Sequence, residues 1–237
     1  MKTAYQRILL KLSGEQLAGK YEVGIDPEVA GFFANEIKRV LSSDCQVAIV
    51  VGGGNMVRGA EVAGQGIRRV TGDQMGMLSG LINSMAITDI FEAHQIATRC
   101  LSNIFADQVA EAYSYRRAIK HLEHDRVVII AGGIGRPYFT HDTAAVNLAL
   151  ELSCDVMIKA TKVDAVYDKD PKKHTDAVKI TNLPYQQAVQ DEAIKIMDKA
   201  ALGLAMEQHM PVIIYDAMKP GNTLKVVQGE PVGTTIK

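Results

Sequence analysis

The sequence predicts an α/β fold, a three-layer αβα sandwich with a mostly parallel central sheet. Short apolar runs rich in β-branched residues, such as 46–51 and 126–131, are typical of buried strands. Segments with helical spacing of apolar residues alternate with these runs along the chain. Strands that alternate with helices imply right-handed crossovers, which place helices on both faces of a parallel sheet.

The expected strands are apolar runs bounded by turn residues: 7–12, 46–51, 97–101, 126–131, 155–160, 211–215 and, at the sheet edge, 224–227. The expected helices have apolar residues at helical spacing: 27–41, 73–94, 115–124, 142–152, 184–191 and 198–209. Asp26 and Pro27 provide an N-cap and a first-turn proline for the first helix. The methionine-rich face of helix 73–94 indicates core or a subunit interface. Segment 159–171 is polar and rich in turn residues.

Composition and charge exclude several classes of function. An apolar content of 47% and a charged content of 22% are ordinary for a globular protein. The net charge of −1 argues against a nucleic-acid binder, because such domains carry a basic excess. No apolar run approaches the roughly eighteen residues of a membrane span. Lys11 interrupts the first apolar run, so no signal peptide is expected.

Cysteine and histidine spacing gives no sign of a disulfide or a metal site. Cys45, Cys100 and Cys154 lie far apart, which is typical of reduced thiols in a cytoplasmic protein. The six histidines show no ligand spacing with them, so we expect no structural metal. We therefore expect a cytoplasmic protein without nucleic-acid or membrane partners.

Three glycine-containing segments, each directly after a predicted strand, point to a functional site: Gly52–Gly54, K-L-S-G at 11–14, and G-G-I-G-R-P-Y-F at 132–139. Successive backbone N–H groups in a tight turn form an anion-binding concavity, and the nearby Arg58 favours phosphate. The alternative for the triple glycine is a strand-to-helix turn that needs glycine for packing. Ligands of parallel sheets bind beyond the carboxyl ends of the strands, where these segments can converge.

Two interpretations compete for the segment K-L-S-G at 11–14 and the residues that follow it. Gly14–Tyr21 fits the P-loop pattern as far as Lys20, but Tyr21 stands where a serine or threonine would hold Mg²⁺. An exposed turn is the alternative for this stretch. Lys11, at the end of the first strand, offers an ammonium that can neutralise a transferring phosphoryl group, or it simply extends to solvent from a strand end.

The third segment combines main-chain donors with side chains suited to a nucleotide. The rings of Tyr138 or Phe139 can pack around a base or ribose, and Thr140 can donate hydrogen bonds. Asp142 either caps the following helix or orients Lys11 through an ion pair. His141 is interpreted as a local polar contact rather than a base or metal ligand.

Five motifs resemble those of the bacterial UMP kinases, a family of the amino-acid kinase superfamily, in order and separation. They are K-L-S-G-E, V-V-G-G-G-N-M-V-R-G, G-D-Q-M-G-M-L, F-T-H-D-T-A-A and K-A-T-K-V-D-A-V-Y-D-K-D-P. The resemblance covers nearly the whole chain and implies a single amino-acid kinase domain over 1–237. In such a domain, about 1–155 would mainly bind UMP and about 156–237 mainly ATP.

The resemblance implies transfer of the γ-phosphoryl group of MgATP to UMP, with Mg²⁺ carried by the nucleotide and no protein metal site. The catalytic residues would be Lys11, Asp142, Lys162 and Asp198, with Lys159 as the alternative second cation. ATP would be bound by Lys11, Leu12, Ser13, Gly14, Gly54, Arg58, Thr161, Tyr167 and Asp170. UMP would be bound by Gly53, Asp73, Ile134, Gly135, Arg136, Pro137, Tyr138, Phe139, Thr140 and His141. The family also implies a homohexamer that GTP activates and UTP inhibits.

This chain departs from the family pattern at the UMP loop, which normally reads T-G-N-P-F-F-T-T. Ile134, Arg136, Tyr138 and His141 replace four of those residues, and Arg136 adds a guanidinium that can bind the α-phosphate. Ala165 stands where the family has glycine, and the altered segment 19–24 bears on GTP activation. Two rival functions are an amino-acid or carbamate kinase on the same fold and a non-enzymatic nucleotide sensor.

Overall fold

The structure, a computed structural model, describes residues 3–63, 66–169, 171, 173–191, 194 and 196–237. The strands are β1 (Arg7–Leu12), β2 (Gln46–Val51), β3 (Thr98–Ser102), β4 (Glu111–Ala112), β5 (Val127–Ala131), β6 (Val156–Thr161), β7 (Val166–Tyr167), β8 (Lys179–Ile180), β9 (Asn182–Leu183), β10 (Val212–Asp216) and β11 (Thr234–Ile236). The helices are α1 (Gly14–Leu17), α2 (Pro27–Leu41), α3 (Gly59–Val62), α4 (Arg69–Ala93), α5 (Tyr115–Leu122), α6 (His141–Glu151), α7 (Tyr185–Gln190), α8 (Lys199–Glu207) and α9 (Asn222–Val227).

Within the described ranges, nine strands form one twisted sheet in the order β4-β3-β5-β2-β1-β6-β10-β11-β9. Its neighbouring strands are parallel except β10 and β11, which are antiparallel. The short strands β7 and β8 form a separate antiparallel ribbon. The mostly parallel sheet that the sequence predicts is confirmed.

Helices cover both faces of the sheet and enclose two separate cores. On one face, α2, α4 and α9 pack on strand residues that include Ile8 and Leu10. On the other face, α5, α6, α7 and α8 pack on residues that include Leu9. Side chains alternate between the faces of a strand, so Lys11 projects on the same face as Leu9, towards α6. This alternation determines which helix can supply a partner for Lys11.

Most predicted elements are confirmed with shifts of one or two residues, but the predicted strand 224–227 is wrong. That segment lies in helix α9, and the strand that closes this part of the sheet is β11. The buried residues Thr223, Val226 and Val227 are spaced as on one face of a helix. The adjacent valines obscured this spacing in the sequence. The real edges of the sheet are β4 and β9.

Two helix starts also differ from the sequence expectation. Helix α4 begins at Arg69 instead of residue 73. Helix α6 is capped by Thr140, whose hydroxyl accepts hydrogen bonds from the N–H groups of Asp142 and Thr143. The cap role considered for Asp142 is therefore wrong, and its carboxylate is available for another partner.

None of the described helices is long and apolar enough to cross a membrane.

Candidate active site

The ends of β1 and β2 meet in direct backbone contact. The Gly52 N–H donates to the Leu12 carbonyl at 3.0 Å. A Cβ atom on Gly14 would lie 2.5 Å from the Gly52 carbonyl oxygen and 2.9 Å from the Gly54 nitrogen, distances that real Cβ contacts do not reach. Glycine at position 14 is therefore required for the first two glycine segments to lie side by side.

The triple glycine serves packing as well as backbone exposure. A Cβ on Gly53 would lie 2.4 Å from the Gly76 carbonyl oxygen and 2.6 Å from the Ser79 Cβ, so β2 ends in close contact with α4. The segment can therefore serve both as a packing turn and as an anion-binding turn. Gly53 packs against α4, and the next residue, Gly54, lies against Gly14.

Three charged side chains form the centre of the site. Asp142, near the start of α6, lies 2.9 Å from the Lys11 ammonium through Oδ1 and 2.6 Å from the Lys159 ammonium through Oδ2. Lys11 and Lys159 are paired across neighbouring strands β1 and β6. Lys159 also donates to the Ile196 carbonyl at 2.5 Å. The structure therefore joins Asp142 directly to Lys11, and its second partner is Lys159.

Burial and charge act in opposite directions on this cluster. Burial by itself raises the pKa of Asp142, but the adjacent Lys11 and Lys159 outweigh it, so the carboxyl pKa is below its usual value. Burial, reinforced by Lys11, lowers the pKa of Lys159 despite the opposing effect of Asp142. An ionised Asp142 between two lysines leaves the cluster with an excess of positive charge when both ammoniums are protonated.

His141 lies beneath this cluster, where three glycine positions leave room for its ring. A Cβ atom added to Gly80, Gly133 or Gly52 would lie 3.1, 3.7 or 4.0 Å, respectively, from the nearest atom of the His141 ring. Burial and the nearby Lys11 lower the pKa of His141 to about 4, so the ring is neutral at pH 7. Its buried Nε2 atom has no hydrogen-bond partner. The third glycine segment therefore converges with the first two.

Asp198 does not contact either lysine of the cluster. Its carboxylate accepts from the Thr140 hydroxyl at 2.5 Å and the Thr143 hydroxyl at 3.0 Å. It also accepts from the Ala201 N–H and so caps α8. Asp198 thereby fastens α8 to the start of α6, and the aspartate that pairs directly with the lysines is Asp142.

A second group of residues lies where α4 begins. The Arg69 Nε–H donates to both carboxylate oxygens of Asp73, at 2.8 and 2.9 Å, and the Tyr138 N–H donates to Asp73 Oδ2 at 2.8 Å. The Arg69 guanidinium lies 5.5 Å from the centre of the Tyr138 ring. Tyr138 has a φ of 70°, a left-handed conformation that side chains rarely adopt. Asp73 thus joins the loop 132–140 to α4.

The other predicted acceptor-side residues belong to the same loop. Arg136, Tyr138, Phe139 and Thr140 are exposed, and Ile134, Gly135 and Pro137 are partly buried. Gly135 rests against the Asn103 carbonyl, which would lie 2.9 Å from an added Cβ. The loop therefore presents aromatic and cationic groups on the accessible side of the crevice.

Arg58 and Lys162 lie near the mouth of the crevice on either side of Glu15. The Arg58 guanidinium forms ion pairs with Glu15 and, at 3.2 Å, with Glu61. The Lys162 ammonium donates to the Glu15 carbonyl at 3.4 Å. Both cations are thus within reach of the turn after β1, where Ser13 precedes α1.

A large cavity opens beside the carboxyl ends of β6 and β10. Its volume is about 780 Å³, and its lining includes Lys162 and Tyr167. The Thr161 hydroxyl donates to the Tyr215 carbonyl at 2.9 Å, which ties these two strands together one residue before the lining residues Lys162 and Asp216. Asp170, which the sequence places in this group, lies outside the described residues.

Four residues of the cavity lining lie outside the segment 159–171 to which the sequence pointed: Ile194, Ile196, Asp216 and Lys219. Asp216 is the last residue of β10 and pairs with Thr161 of β6. The rule that ligands lie beyond strand ends would have suggested Asp216. Ile194 and Ile196 carry no comparable signal, because isolated apolar residues in a connecting segment are common.

The P-loop interpretation of Gly14–Tyr21 is wrong. Lys20 lies 3.0 Å from Glu28 on the surface, and Gly19 packs against Asp26. The long helix of a P-loop would begin at about Lys20, but residues 20–26 form no helix. The alternative, an exposed turn, holds only for residues 19–21, because Gly14, Gln16, Leu17 and Ala18 are buried.

The described part of the chain has neither a preformed metal-ligand cluster nor a reactive thiol. It contains no group of three or more His, Cys, Asp or Glu side chains arranged to hold a metal ion. The three cysteines are free and buried. Burial raises the pKa of Cys45 and Cys154 to about 12 and that of Cys100 to about 11, so all three remain protonated thiols at pH 7.

Comparisons with known proteins agree on one group. The sequence model of the amino acid kinase family matches residues 6–216. A uridylate kinase of Dichelobacter nodosus is 47% identical over 99% of this chain and 97% of its own length. A uridylate kinase of Xanthomonas oryzae is 46% identical over 99% of this chain and 97% of its own length. The crystal structure of a UMP kinase from Bacillus anthracis has a TM-score of 0.94 and 35% identity, covering 98% of this chain and 96% of that one.

Proposed function

The chain belongs to the amino acid kinase family, and we propose that it acts as a UMP kinase. It transfers the γ-phosphoryl group of MgATP to UMP and so supplies UDP for pyrimidine nucleotide biosynthesis. The observation that carries this proposal is the Lys11–Asp142–Lys159 cluster, flanked by the 780 Å³ cavity and by the loop 132–140. Two nucleotides laid phosphate to phosphate would meet at the lysines.

On the donor side, the cavity beside β6 and β10 takes the adenosine end of ATP. Tyr167 and Thr161 belong to this end, together with Asp170. The triphosphate extends towards Lys11, past the backbone of Leu12, Ser13, Gly14 and Gly54. Lys162 and Arg58 add positive charge at the mouth once a phosphate competes with Glu15 for them. Mg²⁺ arrives with the nucleotide.

On the acceptor side, UMP lies between α4 and the loop 132–140. Asp73 accepts hydrogen bonds from the ribose or base. Gly53 contacts UMP at the turn 52–55, where the acceptor side meets the phosphate-binding residues. The loop residues Ile134–His141 enclose the rest of the nucleotide. Arg136, an exposed guanidinium on the accessible side, offers a two-point contact to the α-phosphate. Residues about 1–155 therefore mainly bind UMP, and about 156–237 mainly bind ATP.

The chemistry requires positioning and charge neutralisation more than proton transfer. A phosphate monoester has a second pKa of about 6, so the phosphate of UMP is already a competent nucleophile at pH 7. The neutral His141 and the ionised Asp142 are accordingly not needed as bases. Lys11 stabilises the charge that develops on the transferring group. Asp142 orients Lys11 and Lys159, and Asp198 holds the start of α6 in place.

We also propose a homohexamer in the cytoplasm, with GTP as activator and UTP as inhibitor. The exposed apolar residues Leu78 and Ile82 of α4, which are 48% and 50% accessible, favour self-association.

The test is turnover of the purified chain with MgATP and a panel of UMP, CMP, dCMP, an amino-acid carboxylate and carbamate. We expect UMP to give the highest kcat/KM and the products to be UDP and ADP. Phosphorylation of a carboxylate or carbamate instead would indicate an amino-acid or carbamate kinase. Nucleotide binding without turnover on any acceptor would indicate a sensor and would overturn the proposal.

A further inference from the structure

Two buried asparagines form a closed pair between α4 and the turn after β2. The Asn55 side chain donates to Asn83 Oδ1 at 2.9 Å, and the Asn83 side chain donates to Asn55 Oδ1 at 2.7 Å. The remaining amide hydrogens bond to the carbonyls of Gly24 at 2.6 Å and Gly52 at 2.7 Å. Asn83 is 0% exposed and Asn55 4% exposed, so water does not compete for these bonds.

The pair makes direct contact with the phosphate side of the site. A Cβ on Gly14 would lie 2.5 Å from Asn55 Oδ1, so the amide abuts the turn after β1. The Asn83 bond holds the Gly52 carbonyl, and the Gly52 N–H donates to the Leu12 carbonyl. Two hydrogen bonds thus hold Gly52, the first residue of the segment 52–55. Asn83 of α4 bonds its carbonyl, and Leu12 of β1 bonds its N–H.

Packing α4 on the sheet does not require amides at this place. Two buried amides lose their hydration on folding, and only a fully bonded arrangement offsets that cost. Apolar side chains of similar volume would fill the same space without it. What the pair adds is a defined conformation for residues 52–55. The Gly52 carbonyl and the Asn55 side-chain amide, one at each end of this segment, are both held by Asn83.

We propose that Asn83 is a positioning residue for phosphoryl transfer, which acts through Gly52 and Asn55 to hold the turn 52–55 against Gly14. The proposal rests on the proposed function in assigning phosphate contacts to this turn. Asn83 itself touches neither nucleotide. Small displacements of groups that position a substrate lower rates strongly, by as much as about a hundredfold.

The main test compares Asn83→Leu with Ser84→Ala. The leucine keeps the approximate volume and removes the bonds to Gly52 and Asn55. Ser84 is a matched control, because it is also 0% exposed on α4 and its hydroxyl bonds only to the Gly80 carbonyl of its own helix. For Asn83→Leu we expect kcat with MgATP and UMP to fall about tenfold to a hundredfold. For Ser84→Ala we expect kcat within about twofold of wild type at temperatures where both remain folded.

Asn83→Asp provides a second, isosteric test with a pH readout. An ionised carboxylate cannot donate to Gly52 or Asn55, whereas a protonated carboxyl can replace one of the two donors. Burial beside two oxygen acceptors raises the pKa of such a group. The kcat of Asn83→Asp relative to wild type should therefore recover as the pH is lowered from about 8 to about 6. If Asn83→Leu fails to fold, this variant carries the test.

Normal kcat and KM values in folded Asn83→Leu, or in Asn83→Asp at every pH, would overturn the proposal and leave the pair a packing feature. If the wild-type chain does not phosphorylate UMP, the proposed function fails, and the positioning role is then tested through MgATP binding by calorimetry. Weaker binding in Asn83→Leu but not in Ser84→Ala would support it. Equal binding in both variants would contradict it.

Discussion

Asp142 contacts two lysine side chains but neutralises only one positive charge. A buried ion cluster of this kind contributes little to stability, because burial of each charge opposes the attraction between them. The excess positive charge near Lys11 and Lys159 is therefore better explained by a ligand that brings negative charge. A phosphate entering the crevice would complete the charge balance that the protein leaves open.

Replacement of Lys11 by alanine tests this explanation. We expect kcat to fall by about 10²–10³, equivalent to ~3–4 kcal/mol of lost electrostatic stabilisation, the scale of a lost oxyanion donor. Lys20→Ala is the control, because Lys20 pairs with Glu28 on the surface and belongs to the rejected P-loop interpretation. Its steady-state constants should match wild type. A near-normal kcat for Lys11→Ala, or an equal loss for Lys20→Ala, would contradict the assignment.

At the scale of elements, the crossing of α3 and α4 depends on two facing glycines. A Cβ on Gly72 would lie 2.5 Å from the Gly59 carbonyl oxygen, and one on Gly59 would lie 2.6 Å from the Gly72 carbonyl carbon. The atoms in the way are backbone, which cannot rotate aside as a side chain can. This close contact helps fix the start of α4 and with it Asp73.

Gly72→Ala should lower the free energy of unfolding by about 1–3 kcal/mol, the usual cost of overpacking. Gly203→Ala is the matched change, since Gly203 also lies within a helix but its Cβ would meet no atom within 4 Å. That variant should be stabilised by about 0.5–1 kcal/mol, because alanine favours helix over glycine. Urea unfolding of both variants measures the difference. Equal effects of the two alanines would show that the crossing tolerates a side chain.

The sequence predicted best those features that depend on neighbouring residues in the chain. It predicted least well those that depend on strand register or on contacts between distant segments. Strand 7–12 and the Asp26 cap were predicted as they occur, because both depend on local residues. Lys159 and Lys162 were alternatives for the second cation near the phosphates, and it is the pairing of β1 with β6 that places Lys159 beside Lys11 and Asp142. The cap of α6 is Thr140 because the helix begins at His141, one residue earlier than predicted, so Asp142 lies inside its first turn.

For the molecule as a whole, the site follows from the strand order. From β1 the sheet extends through β2 and β5 on one side and through β6 and β10 on the other. Adjacent connections that run in opposite directions open a crevice at the carboxyl ends of the strands, where ligands of such sheets bind. The sequence predicted this convergence of strand ends. It did not predict the lining from Ile194 to Lys219, because those residues are brought there only by the tertiary fold.

Helix α4 carries apolar side chains on its exposed surface as well as on its buried surface. Met77, Leu81 and Ile87 are buried in the chain, whereas Leu78 and Ile82 are about half exposed and lie one turn apart. Apolar side chains grouped on an exposed helix face are typical of an interaction surface, so a second subunit should cover this part of α4. The double variant Leu78→Lys, Ile82→Lys should therefore sediment as a smaller species than wild type at equal concentration, while circular dichroism shows the fold retained. Val178→Lys, an exposed apolar residue of the connection between β7 and β8 with 62% accessibility, should leave the sedimentation coefficient unchanged. A double variant that sediments like wild type would place the subunit contact elsewhere and remove the support that α4 gives to the hexamer.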